Sequence, residues 1–119
     1  MVERICWLIL ALAIHLPPFA ALFAPSLITK LYSVTPDDPN FMLLQHRAAL
    51  FGVIVIACLW AAVDPEVRKL AFVLTALSMI SFLAIYLGYG QPASLRTIAL
   101  VDAAGLPLLG YVGWKAFSA

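Results

Sequence analysis

The sequence predicts an all-α membrane protein, an antiparallel four-helix transmembrane bundle with a short interfacial helix between spans 1 and 2. Hydrophobic residues make up 65% and charged residues 11% of the chain, whereas charged residues make up about 25% of soluble domains. The mean hydropathy is +1.04, and the apolar residues are concentrated in four stretches of about 20 residues, the length that crosses a bilayer. We therefore predict one integral membrane domain over residues 1–119, with spans at about 5–23, 41–63, 70–89 and 98–117.

The first span follows Arg4 and contains the sequence HLPPFA. Pro17 and Pro18 remove two backbone donors, so we expect an irregular or kinked helix at this point. No small-residue cleavage motif followed by a polar segment comes after it, which favours a retained anchor over a signal peptide.

The segment APSLITKLYS lies between the first two spans. In a helix, its apolar and polar side chains separate onto two faces, with Leu27, Ile28, Leu31 and Tyr32 on one and Thr29, Lys30 and Ser33 on the other. This pattern is typical of a short helix that lies flat in the membrane interface.

The three later spans begin after polar turns that contain proline, VTPDDPN, DPE and GYGQPAS. Small residues within the spans predict places where helices approach closely, namely Ala48 and Gly52 in the second span and Gly105, Gly110 and Gly113 in the fourth. Cys6 and Cys58 form no C-x-x-C motif, and we interpret them as small hydrophobic side chains.

The distribution of basic residues predicts the orientation. Four spans place both termini on one side together with the 64–69 turn, and that side holds Arg4, Arg68, Lys69 and Lys115 against Lys30, Arg47 and Arg96 on the other. The positive-inside rule therefore favours an arrangement with both termini in the cytoplasm. Three tryptophans near the cytoplasmic ends of the spans are expected at headgroup level, namely Trp7, Trp60 and Trp114.

The polar residues inside the spans form the candidate site. At about 1.5 Å per residue, Arg47 lies about 10 Å down the second span and Asp102 about 12 Å down the fourth. An isolated intramembrane charge costs about 2.5–3.5 kcal/mol or more, so we predict a buried ion pair between these two residues. The other candidate ligand-binding residues fall in the same, non-cytoplasmic half of the bundle, and they are His15, Gln45, His46 and Tyr86. The ion pair can equally be a structural link between two helices, and both interpretations stay open.

Few cofactors fit this pattern. His15 and His46 could hold a b-type haem from two helices, but their predicted depths differ by about 6 Å. We expect no metal, since no cluster of His, Cys or carboxylate side chains has ligand spacing, and no cofactor, with haem or a quinone as the alternative. A formal charge of +1 without any run of like charges argues against nucleic acid as a partner.

Three longer segments suggest a family, namely FAPSLITKLYSV, LLQHRAALFG and RTIALVDAAGLPLL. Their layout resembles that of the small four-helix bacterial inner-membrane proteins of the DoxX-like families. The resemblance implies the four-helix architecture and, for some proteins of this kind, a place as a membrane subunit of a redox system. It also implies that the positions of Gln45, His46, Arg47 and Asp102 are important.

Two functional hypotheses follow. The first is a non-enzymatic accessory or structural subunit of a membrane complex, because 119 residues without an extramembrane domain offer little room for a catalytic apparatus. Such a chain offers ample surface to the lipid bilayer, to a membrane-protein partner or to a second copy of itself. The alternative is an outer-leaflet pocket that binds or acts on a small molecule, a quinone or a lipid headgroup through the cluster of Gln45, His46, Arg47 and Asp102.

Overall fold

The structure is a computed structural model that describes residues 1–118, apart from the side chains of Leu31 and Ser94. Throughout residues 1–118 the regular structure is helical, without a β-strand. The elements in chain order are α1 (Val2–Ile9), a π-helical turn (Leu10–His15), α2 (Leu16–Ala20), α3 (Ser26–Tyr32), α4 (Asn40–Val63), α5 (Arg68–Gly88) and α6 (Arg96–Ser118). Single 3₁₀ turns over Pro65–Val67 and Ala93–Leu95 lead into α5 and α6.

Four helical segments are long and apolar enough to cross a membrane, which confirms the number of spans predicted from the sequence. They cover Val2–Ala20, Asn40–Val63, Pro65–Gly88 and Arg96–Ser118. The first lies about one turn earlier than predicted, because the chain leaves the helix in a turn at 21–23 rather than continuing to Phe23. We refer to Val2–Ala20, which combines α1, the π-helical turn and α2, as the first span.

The irregularity predicted at Pro17 and Pro18 takes the form of the π-helical turn that precedes them. A carbonyl in a helix accepts from the amide four residues on, or five residues on in a π-helical turn. For Ala13 those two positions are Pro17 and Pro18, neither of which has an N–H. The two prolines therefore leave the Ala13 carbonyl without an amide donor in its own helix.

The short helix predicted between the first two spans is present as α3. Ile28 and Tyr32 on its predicted apolar face are buried, whereas Lys30 is exposed; the Leu31 side chain lies outside the described part. The helix ends at Ser33, which adopts a left-handed conformation with φ of 59°. Ile28 and Tyr32 pack in a small core with Phe41 and Ala48 of α4, so α3 lies against the beginning of that helix.

Each of the four long segments contributes at least one fully buried side chain to the main core. Trp7 of α1, Cys58 of α4, Met79 of α5 and Val112 of α6 belong to it, and each is at most 1% exposed. The position of Trp7 corrects the expectation of an interfacial tryptophan, since its indole is wholly buried between helices. Trp60 and Trp114 are exposed, as the prediction requires.

Three of the small residues predicted to allow close helix approach do so. A Cβ atom at Gly52 would lie 2.5 Å from the Phe19 ring, one at Gly105 would lie 2.9 Å from Met79, and one at Gly113 would overlap the Phe72 ring. Gly110 has nothing within 4 Å of such an atom, so it serves no contact of this kind.

Polar contacts join the helix ends near the N-terminus. Arg68 forms an ion pair with Glu3 at 3.1 Å and donates from Nε to the Ala61 carbonyl at 2.7 Å, while Arg4 donates to the Ala62 carbonyl at 3.0 Å. The final carbonyls of a helix lack amide partners, and cationic side chains satisfy them. These contacts place the start of α1, the end of α4 and the start of α5 together.

Candidate functional site

Arg47 lies one helical turn before Phe51 on α4, and its guanidinium is surrounded by three aromatic rings. Its Cζ atom lies 5.6 Å from the centroid of Tyr32 on α3, 5.1 Å from that of Phe51 and 5.1 Å from that of Phe82 on α5. Ring faces carry negative potential and attract a cation within about 6 Å. We call these three rings the aromatic cage.

The direct ion pair predicted between Arg47 and Asp102 is not formed. No Arg47–Asp102 contact lies within 4.0 Å, and within residues 1–118 the one ion pair at that distance is Arg68–Glu3. The prediction matched the two residues by depth, but depth does not fix the direction in which a side chain leaves its helix. Arg47 points towards α3 and α5, where the aromatic cage attracts the cation in place of a carboxylate.

Arg47 lies at one end of a cleft of about 570 Å³ between α4 and α5. Its other lining residues are mostly aliphatic or aromatic and comprise Leu50, Phe51, Val53, Ile54, Leu74, Leu77, Ser78, Ser81, Phe82, Ile85 and Leu95. A volume of this size falls within the range of small-molecule sites, about 300–1,000 Å³. We call this space the Arg47 cleft.

Asp102 lines a different and smaller cavity, of about 160 Å³. The first span contributes Ala13, Ile14, Pro17 and Pro18, and α6 contributes Thr97, Ile98, Val101 and Asp102. We call this space the Asp102 cavity. Phe51 lines both spaces, but the two charged residues that the sequence placed in a single pocket line different ones.

His15 is 1% exposed and lines neither space. Its Nδ1 donates to the Leu10 carbonyl at 2.8 Å, which spans the π-helical turn, and its ring lies 5.9 Å from that of Phe51. Its Nε2 is buried and has no hydrogen-bond partner among the described residues. His15 therefore packs near Phe51 and does not line either space.

The other three predicted site residues lie near Arg47 in sequence or in depth without lining either space. Gln45 donates to the Leu22 carbonyl at 3.5 Å, His46 is exposed, and Tyr86 is half-buried and stacked on Phe82 with ring centroids 6.2 Å apart. Since His15 is buried and His46 is exposed, the two imidazoles have different surroundings, unlike a pair that faces one haem. Of the six predicted residues, Arg47 and Asp102 are the two that face a cavity.

The aromatic cage and the serines of the cleft were not among the predicted site residues. A signal for Phe51 was present, because it follows Arg47 by four residues and so lies on the same helix face. Ser78 and Ser81 lie three residues apart on α5, and Ser81 donates to the Ser78 carbonyl at 3.3 Å. Both serines nonetheless line the Arg47 cleft.

The pKa of Tyr32 depends on the charges of both Arg47 and Asp102. Burial in the small core raises the pKa of the Tyr32 phenol, the Arg47 charge lowers it, and the Asp102 charge raises it. The phenol therefore lies close enough to both groups to sense each of them. Because α3 lies outside the long segments, this tyrosine can report on the charges inside them.

Cys6 and Cys58 are both buried and free, in agreement with their interpretation as small hydrophobic side chains. Cys58 Sγ lies 3.3 Å from the hydroxyl of Thr75. Over residues 1–118, no group of three or more His, Cys, Asp or Glu side chains is placed to hold a metal ion.

No family model matches the sequence, and no curated protein or solved structure is significantly similar to it. The resemblance to the DoxX-like families stays a prediction from the three quoted segments. The function is therefore inferred from the Arg47 cleft and the Asp102 cavity.

Proposed function

We propose that the chain crosses the bacterial inner membrane four times as an antiparallel bundle, with both termini in the cytoplasm. The exposed surface supports this arrangement, because large apolar side chains face outwards at helical spacing, as Leu70, Val73, Leu77 and Ile80 do on α5. Soluble monomers rarely expose a continuous apolar surface of this extent. The meeting of the start of α1 with the end of α4 is the contact that an antiparallel pair requires.

Within that membrane protein, the Arg47 cleft binds a small amphiphile whose acidic head contacts Arg47 and whose apolar chain lies between α4 and α5. The observation that supports this proposal most strongly is that the Arg47 guanidinium has no hydrogen-bond or ion-pair partner in the described part of the chain. It is half-buried at the end of an apolar cleft, yet it makes no hydrogen bond and no ion pair with any group that the structure describes. Arginine has five N–H donors, and ring faces satisfy the charge but not those donors.

A carboxylate or phosphate fits this arrangement. Either group accepts two parallel N–H bonds from the edge of a guanidinium, and such charge-assisted bonds are stronger than neutral ones. The cage rings occupy positions around the guanidinium carbon and pre-orient it, which lowers the entropy cost of binding. Acidic heads are thereby favoured over neutral ones.

The apolar part of the cleft suits a hydrocarbon chain. Along α5 the lining extends from Leu74 to Ile85, a distance of about 16 Å at the helical rise. A chain that enters from water gains about 0.8 kcal/mol for each methylene group, whereas a chain already dissolved in the bilayer is held in the cleft by packing contacts. Ser81 bonds to its own helix, so the cleft offers binding rather than an activated nucleophile.

Equilibrium binding of dodecanoate to the purified protein in nanodiscs tests this proposal. We expect saturable binding that weakens about tenfold or more in Arg47→Gln, because a charge-assisted bond contributes about 1.5–3 kcal/mol. Arg96→Gln is the matched control, since Arg96 is exposed at the start of α6 and lies outside the cleft. Dodecanol that binds as tightly as dodecanoate, or Arg47→Gln that binds like the wild type, would contradict the proposal.

The first hypothesis, an accessory subunit of a membrane complex, is retained as a second candidate. The observation in its favour is that the third span, Pro65–Gly88, is the least buried of the four and therefore has the most surface for a neighbouring helix. Extraction from the source membrane in mild detergent followed by native mass spectrometry tests it. A reproducible complex with one polypeptide is expected from a subunit, and a chain that emerges alone argues against it.

A further inference from the structure

We propose that the Asp102 cavity binds a primary ammonium group, with the Asp102 carboxylate as its principal acceptor. This site is separate from the Arg47 cleft, and the inference does not depend on the function proposed for that cleft. It starts from a buried carboxylate that nothing in its surroundings satisfies.

Asp102 is 7% exposed and lines the cavity. Its carboxylate makes no hydrogen bond, and no ion pair within 4.0 Å, with any of the described groups. A buried charge without a hydrogen-bonding partner is costly, so a group that supplies donors is strongly favoured beside it.

Two other residues that line the same cavity carry acceptor groups. Ala13 carries the carbonyl that Pro17 and Pro18 leave without an amide donor, and Thr97 lies on α6 five residues before Asp102. A buried carboxylate in a mostly apolar cavity favours a ligand that has several donors and no acceptor. A primary ammonium has three N–H donors and no acceptor, as lysine shows.

The walls favour an alkylammonium over a metal ion. Ile14, Pro17, Phe51 and Val101 present apolar surface, which suits the carbon chain of an amine. Hard cations such as Ca²⁺ take six to eight oxygen ligands, more than this cavity supplies. The volume of about 160 Å³ holds a group of a few heavy atoms, since a water molecule occupies about 30 Å³ in the liquid.

The positive charge of Arg47 is expected to have opposite effects on ligand binding at this site and in the Arg47 cleft. Its guanidinium lies 5.1 Å from the Phe51 centroid, and Phe51 also lines the Asp102 cavity. The positive charge of Arg47 therefore opposes a cation bound beside Asp102. Removal of that charge should strengthen ammonium binding here while it weakens binding of an acidic amphiphile in the Arg47 cleft.

Titration of the nanodisc-embedded protein with n-butylammonium, monitored by calorimetry, tests the inference. Butanol is the neutral control of equal length, and tetramethylammonium is the cationic control without an N–H donor. We expect saturable binding of n-butylammonium alone, weakened about tenfold or more in Asp102→Asn and strengthened several-fold in Arg47→Gln. Thr97→Val should weaken it by a smaller factor, and this variant replaces Asp102→Asn if the latter does not fold.

Equal binding of butanol, equal binding of tetramethylammonium, or no saturable binding of n-butylammonium overturns the inference. So does an affinity that neither Asp102→Asn nor Thr97→Val changes. Nanodiscs of phosphatidylethanolamine and of phosphatidylcholine separate two sources of the ammonium group. Weaker n-butylammonium binding in phosphatidylethanolamine identifies a lipid headgroup amine as the occupant, whereas equal binding in both identifies a free amine.

Discussion

Arg47 and Asp102 are charged residues that lie well inside apolar helices and line different cavities, and Phe51 lines both of those cavities. Each charge is accommodated differently. Three ring faces surround the guanidinium, whereas the carboxylate faces a small space bordered by the prolines of the first span. The two residues act on each other through their charges and not through contact, because no N–O distance between them is within 4.0 Å.

The titration of Tyr32 tests this residue-scale arrangement. Burial raises the pKa of the Tyr32 phenol, Arg47 lowers it and Asp102 raises it. We therefore expect Arg47→Gln to move the pKa further upwards and Asp102→Asn to move it downwards. Ultraviolet titration at alkaline pH measures these shifts, with each variant compared to the same variant carrying Tyr32→Phe so that the other tyrosines cancel.

The sign of the linked stability follows from the same shift. Because the folded state favours the neutral phenol, its contribution is present below the ordinary pKa of tyrosine and is lost as pH rises through the raised pKa. Tyr32 shifts that move in the same direction in both charge variants would contradict the placement of the phenol near two opposite charges.

The sequence predicted a depth for these charged residues but could not predict their direction. Helical rise alone gives the expected depth, which was similar for Arg47 and Asp102. The direction of each side chain depends on how the helices rotate about their axes, which sequence spacing does not determine. The aromatic cage combines residues from three elements, and its Tyr32 and Phe82 members are distant from Arg47 in sequence.

At the scale of elements, small residues determine how closely the helices pack. Gly113 on α6 faces the Phe72 ring of α5, and that ring also packs edge to face against Phe117 of α6, with ring centroids 5.8 Å apart. Gly52 and Gly105 accommodate Phe19 and Met79 in the same way. The sequence predicted that such residues allow close approach, but it could not separate these three from Gly110, which faces open space.

A pair of glycine substitutions three residues apart on α6 tests this packing. We expect Gly113→Ala to lower the free energy of unfolding by about 1–3 kcal/mol, because the added methyl group overlaps the Phe72 ring. Gly110→Ala has nothing within 4 Å, and alanine is a better helix former than glycine by about 1 kcal/mol. Thermal melting in one detergent compares the two, and equal effects of both substitutions would refute the packing argument.

The π-helical turn is the second feature that shapes the helices. Pro17 and Pro18 were predicted to disturb the first span, and the disturbance is a widened turn that ends at His15. The width of the turn could not be deduced from the prolines alone, since a kink or a break would remove the same two donors. Its consequence is local, because the unsatisfied Ala13 carbonyl lies beside the Asp102 cavity.

At the scale of the whole molecule, the length and apolar character of four helical segments were predicted correctly. Their lengths follow the apolar stretches of the sequence, and each is long enough to cross a bilayer. The proposed orientation rests on a modest excess of basic residues near the termini, supported by the position of Arg4 and Arg68 at one end of the bundle.

Cysteine accessibility tests that orientation. Asp37 in the turn before α4 and Ser118 near the C-terminus are both exposed, whereas the native Cys6 and Cys58 are buried and should react poorly. We expect Asp37→Cys to react with a membrane-impermeant maleimide in spheroplasts and Ser118→Cys to react only after permeabilisation. The reverse pattern would place the C-terminus outside, and reaction of both in spheroplasts would contradict the three crossings expected between Asp37 and Ser118.

The Arg47 cleft is proposed to hold an acidic amphiphile. Photolabelling with a diazirine-bearing fatty acid tests whether such a ligand occupies it. We expect mass spectrometry to locate the label on the cleft faces of α4 and α5, near Leu50, Leu77 and Ile85. Excess dodecanoate but not dodecanol should abolish the label, and Arg47→Gln should remove it while Arg96→Gln does not. Label spread evenly around the four helices and unchanged by Arg47→Gln would identify ordinary bilayer lipid and contradict the claim.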